Sequence, residues 1–64
     1  MKIKYDKEVD VINIQFSEAE IVETDENKPG VIIDYDKDGK IVEIEILNAS
    51  KHTSQPAKVE YEFA

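Results

Sequence analysis

The chain has no cysteine and no arginine, only two glycines and two prolines, and a single histidine among its 64 residues. Without cysteine there is no disulfide, no thiolate zinc site and no thiol nucleophile. Without arginine, and with eight lysines against 15 acidic residues, there is no clustered positive charge to displace counterions, so no nucleic-acid partner is expected. Two glycines cannot supply a glycine-rich phosphate loop. Ser17, Ser50, Thr53 and Ser54 stand outside any G-x-S-x-G nucleophile context. No apolar run approaches the ~18–20 residues of a membrane span, and the opening MKIKYDKE lacks the apolar stretch of a secretory signal. No membrane association and a cytoplasmic location are the expectations.

What is present is acid: the net charge is −7. Such a balance suits a solvated surface, a cation or a basic protein partner. An apolar content of 41% is enough for folding. The whole chain, residues 1–64, is expected to form one domain. A chain this short buries only about 60% of the surface its unfolded form exposes, and its core supplies no more than roughly 3–5 kcal/mol. With disulfides excluded, a metal on oxygen ligands or a partner subunit is left to add to that.

The apolar residues come in short β-branched clusters at even spacing: Val11-Ile12, Ile21-Val22, Val31-Ile32-Ile33, Ile41-Val42 and Ile46-Leu47. This is a mainly-β pattern, and it predicts a single small antiparallel sheet of five to six strands, arranged as a hairpin meander. The expected strands are Lys2–Tyr5, Asp10–Ser17, Glu20–Thr24, Val31–Asp36 and Lys40–Leu47. A polar stretch, Asp25–Lys28, leads into the break at Pro29-Gly30. After Leu47, Asn48 could cap a short helical turn that Pro56 keeps from extending. Lys58–Phe63 alternates again and reads as a sixth, edge strand or a frayed tail.

Strand alternation puts Val31, Ile33 and Tyr35 on one face with Val42, Ile44 and Ile46, the expected core face, while Asp34, Glu43 and Glu45 lie on the other. Two registers satisfy that pattern around Asp38-Gly39. A two-residue type I′ turn pairs Tyr35 with Val42 and Ile33 with Ile44; a four-residue loop pairs Ile33 with Val42. Val11, Ile32, Ile41 and Leu47 project among the acidic residues. They would leave an exposed apolar patch unless the C-terminal segment folds over them. These four, with Asp34, Glu43 and Glu45 beside them, are the candidate contact residues of a homodimer or a partner complex.

One motif competes with that reading. Asp34, Asp36, Asp38, Gly39 and Glu45 match the calcium-loop spacing D-x-[DN]-x-[DN]-G-x5-E. Such a loop needs an entering helix, yet Pro29-Gly30 lies four residues before Asp34 and the flanks alternate with period two. Turn chemistry accounts for the same residues, and cation binding through Asp34, Asp36 and Asp38 is the alternative. His52 has no partner for a zinc site or a catalytic dyad and reads as a surface residue. Tyr5, Tyr35 and Tyr61 read as half-buried sheet residues, or as anchors if they surround an oligomer contact. A single small sheet offers no deep pocket. Neither catalysis nor a cofactor is expected.

The segments YDKEVDVINIQFS (Tyr5–Ser17) and GVIIDYDKDGKIVEIEILNAS (Gly30–Ser50) resemble the small prokaryotic family known as domain of unknown function 2283. The likeness covers about the first 50 residues and rests on the opening Tyr-Asp, the central Gly-Val-Ile and the closing Glu-Ile-Leu-Asn-Ala-Ser. It implies a compact, mainly-β fold with no established enzyme activity. Some members are encoded near small toxin-like proteins, which implies an antitoxin or accessory role. Val9 and Val11 stand where the family has smaller residues and Asn13 where an aromatic is expected, and the tail after Lys51 lies outside the likeness.

Overall fold

The most apolar segment, IVEIEIL, forms the central strand of the sheet. In the computed structural model, which describes residues 1–64, this strand (β5, Ile41–Leu47) is flanked by β2 (Val11–Gln15) and β4 (Val31–Tyr35). The edges are β1 (Lys2–Asp6) and β3 (Glu23–Lys28), giving the order β1-β2-β5-β4-β3 with every pair antiparallel. The mainly-β expectation of one small antiparallel sheet holds, with five strands. The order is not that of a simple meander, because β2 pairs with β5 rather than β3. Three hairpin-linked strands return beside β2, which is the Greek-key arrangement. Composition explains it: ETDENK has no apolar side chain for a central position, whereas β5 has one for each flanking strand.

β3 also lies further along the chain than the apolar pair Ile21-Val22 implied. Both of those residues are exposed in the β2–β3 connection, and Asp25–Lys28 is strand rather than loop. An edge strand is held through its backbone, so it needs few apolar side chains. Its position is fixed by the Pro29-Gly30 turn, which sets Lys28 opposite Val31. Gly30 has φ +86°, the positive value that a type II turn demands after proline.

The β4–β5 hairpin keeps the first of the two expected registers through Ile33–Ile44 and Asp34–Glu43, then shifts so that Tyr35 faces Ile41. The loop is Lys37-Asp38-Gly39, closed by Gly39 N–H donating to Asp36 O at 3.0 Å and Asp36 N–H donating to Lys40 O at 2.9 Å. Gly39, at φ +78°, supplies the left-handed residue of a three-residue hairpin with a bulge. A second bulge, between the pairs Asp34–Glu43 and Tyr35–Ile41, leaves Val42 as the extra residue of β5, and its side chain is buried.

A short 3-10 turn, Ala49–Lys51, follows β5. Asn48 adopts the left-handed conformation and makes no side-chain cap, so the capping role expected for it is not realised. No strand forms over Lys58–Phe63. Only Val42, Ala49 and Asp34 are buried anywhere in the chain: the sheet is one layer thick.

Candidate interaction surfaces

The pairings align side chains in rows across the sheet. On one face, Ile3, Ile14, Ile44 and Ile33 form a row over four strands, and Tyr5, Ile12, Ile46 and Val31 form the next. Cross-strand β-branched and aromatic neighbours of this kind stabilise a sheet. None of the eight is buried, however, and Ile3 is exposed.

The opposite face is polar. One row runs Lys2, Gln15, Glu43, Asp34, and the next Lys4, Asn13, Glu45, Ile32. It passes from lysines at the β1 edge to carboxylates at the centre and encloses a shallow concavity of about 410 Å³, lined also by Asp6, Val9 and Val11. Asn13 Nδ2 donates to Glu43 Oε1, and Thr24 Oγ1 donates to the buried Asp34 carboxylate at 2.6 Å. Of the residues marked out as contacts from sequence, Val11 and Leu47 pair directly, and Ile32 pairs with Glu45 beside them. Ile41 sits at the other end of β5, opposite Tyr35. The larger uncovered apolar area is therefore the isoleucine face. Strand alternation had assigned that face to a core, but no second layer completes it.

The calcium alternative is not assembled. No three His, Asp or Glu side chains are grouped to hold a metal ion. Asp36 Oδ1 accepts from Asp38 N–H at 2.8 Å and Lys40 N–H at 3.0 Å, which turns that carboxylate into its own loop. Asp34 faces Thr24 and Glu43, while Glu45 lies across from Asn13. The motif residues serve the hairpin. His52 is exposed at the end of the 3-10 turn, its N–H donating to Ala49 O at 2.9 Å.

A constellation that strand periodicity gave no reason to seek lies at the end of the β1–β2 hairpin. Asp10 takes a left-handed conformation (φ +57°), which an aspartate tolerates better than most residues. Its Oδ1 accepts from Tyr5 O–H at 2.8 Å and Ser50 N–H at 3.0 Å, its Oδ2 from Ser50 Oγ–H at 2.6 Å, and its backbone O from Ala49 N–H at 2.9 Å. Ala49 has no exposed surface. One residue thus ties two segments forty positions apart. The hydrogen bonds from Ser50 and then Tyr5 hold the Asp10 carboxyl below the ordinary aspartate value, and Asp10's acceptance of its hydrogen bond holds the Tyr5 phenol above the ordinary tyrosine value.

A pH dependence follows from these directions. Asp10's contribution to stability is complete above the ordinary aspartate pKa and is lost as pH falls through its depressed one. Tyr5's is complete below the ordinary tyrosine pKa and is lost as pH rises through its raised one. Urea midpoints measured across pH are expected to decline on both limbs. Asp10→Asn should lower the plateau and flatten the acid limb. An acid limb of the same steepness in Asp10→Asn would exclude this account.

A single-layer antiparallel sheet with one apolar and one acidic face, locked by a short C-terminal turn, is the class that these observations define. The chain matches the family described as "Protein of unknown function (DUF2283)" over residues 2–50 and belongs to it. The match ends with the Asn48-Ala49-Ser50 closure on Asp10. No curated protein and no solved structure matches the chain. No helix is long and apolar enough to cross a membrane.

Proposed function

We propose that this protein works by protein–protein contact, as a homodimer joined through its isoleucine face. The acidic face, with Glu43 and Glu45 beside Val11, Ile32 and Leu47, is left to engage a basic protein as an antitoxin or accessory subunit would. The chain is not an enzyme on this reading and needs no cofactor. The observation that carries it is surface. The chain exposes 5293 Å², against about 4,200 Å² for a compact monomer of 7.3 kDa. Part of that excess is the C-terminal tail, where Val59, Tyr61 and Phe63 are mostly exposed, and part is the isoleucine face, none of whose eight side chains is buried. Two such faces stack at ~10 Å and complete a core that one copy lacks. Charge on the outer faces then governs encounter with a basic partner.

Size-exclusion chromatography with light scattering is the test. A dimer mass is expected at ~100 μM, a concentration at which a functional interface of standard size is assembled; a strict monomer there would sink the proposal.

A further inference from the structure

The two outer edges of the sheet are not alike. β3 is irregular between Asp25 and Lys28 and carries three acidic side chains among its six, devices that keep another strand from pairing. β1 is regular over its full length. It alternates Lys2 and Lys4, on the acidic face, with Ile3 and Tyr5 on the isoleucine face. Like charge at Lys2 and Lys4 opposes pairing of β1 with another β1 and favours an acidic strand instead.

The C-terminal segment, which no strand of its own chain pairs, has that complement. In Lys58–Phe63, Val59, Tyr61 and Phe63 alternate with Glu60 and Glu62. Laid beside β1 in either direction with Tyr61 against Ile3, it places both glutamates beside the two lysines and all three apolar residues along the isoleucine face. Alternation in phase on both faces is what a sheet register requires. Yet the segment pairs with nothing in its own chain. Val59, Tyr61 and Phe63 are 58%, 75% and 93% exposed, and residues 59–64 make no backbone hydrogen bond. Lys58 and Glu60, two positions apart, pair at 3.2 Å. That pair is the protein's only salt bridge and is exposed, so it holds little in place. A β-turn just before it, with Pro56 at its second position and Lys58 N–H donating to Gln55 O at 3.0 Å, redirects the chain as it leaves the Asp10 lock.

We infer that Lys58–Phe63 is the sixth strand of a second copy, adding to the free β1 edge of the partner while the partner's segment adds to its own. The inference rests on the homodimer reading and names what that dimer exchanges. Reciprocal exchange of one identical element is an established route to a closed dimer. It extends each isoleucine face by three apolar side chains and leaves neither β1 edge open.

The chain has no cysteine, so a nitroxide attached at Ala64→Cys labels one site. Unlabelled-isotope chains carrying the nitroxide are mixed with ¹⁵N chains lacking it, and the full-length mixture is examined by NMR. Amide signals of Lys2–Tyr5 are expected to lose most of their intensity, while those of β3 keep theirs. Glu60→Lys with Glu62→Lys in the labelled chain should abolish the loss, and Lys2→Glu with Lys4→Glu in the ¹⁵N chain should restore it. Broadening only when label and isotope share a chain would overturn the exchange in favour of pairing within the chain. Broadening confined to Ile14 and Ile44, or none at all, would also overturn it. Light scattering on the same sample separates the two readings: a dimer without broadening at β1 leaves the homodimer standing and removes the exchange, and a monomer removes both.

Discussion

A lysine in place of Ile44 is expected to raise the dissociation constant of the dimer by roughly 30-fold or more, the effect of losing a hot-spot residue worth about 2 kcal/mol. Ile44 lies in the middle of the row Ile3, Ile14, Ile44, Ile33, on the central strand. In the single chain it is only half-buried, so a lysine stem can lie along its neighbours while the ammonium stays in water. Under a second sheet there is no such exit, and an unpaired buried charge is far costlier than the methyl groups it replaces. The variant should thus keep the circular dichroism of the parent and halve the mass seen by light scattering. Glu45→Lys, one position along on the opposite face, is the control and should leave the mass unchanged. Equal effects from the two would show that charge, not the face, controls association.

Enlarging Ala49 to leucine should destabilise the fold by about 1–3 kcal/mol, the usual cost of forcing extra methylenes into a filled site. For a domain this small that corresponds to a fall in Tm of roughly 4–8 °C per kcal/mol. Ala49 has no exposed surface, and its N–H donates to Asp10 O at 2.9 Å. A larger side chain must push the 3-10 turn off the β1–β2 hairpin, and the neighbouring Ser50 contacts to the Asp10 carboxylate go with it. Against a total of roughly 3–5 kcal/mol, such a loss leaves part of the population unfolded near physiological temperature. Thermal melts at several protein concentrations check it. If the protein is dimeric, Tm should rise with concentration in parent and variant alike, while the gap between them persists. A gap below the scatter of the measurement would show that the site relaxes to accept leucine.

How far the fold could be read from sequence depended on what held each element. β2, β4 and β5 were legible because their isoleucines and valines alternate, and that alternation reflects a real difference between two faces. β3 was misplaced because backbone pairing to β4 and the Pro29-Gly30 turn hold it, and neither leaves an apolar signature in ETDENK. The strand order was illegible because short-range pattern does not say whether β2 closes on β3 or β5. The candidate contacts Val11, Ile32 and Leu47 do gather at one end of the polar face, but the isoleucine face had been assigned to a core that a single layer does not make. The Asp10 lock lies outside periodicity altogether. Its one trace in the sequence is that Tyr5, Asp10 and the closing Asn-Ala-Ser all lie in the two segments that carry the family likeness.

The lock has a temporal consequence. Asp10 and Ser50 are forty residues apart, and β2 has no partner but β1 until β5 arrives. During synthesis, the first half of the chain can form only the β1–β2 hairpin, and an isolated two-stranded hairpin is marginal in water. The remaining strands then add as a unit around β5, and contacts of such sequence separation make assembly slow for a chain of this length. Until β5 has paired with β2 and Ser50 has reached Asp10, the chain is a pair of weakly held hairpins with isoleucines on show, and that interval is when it is most open to aggregation.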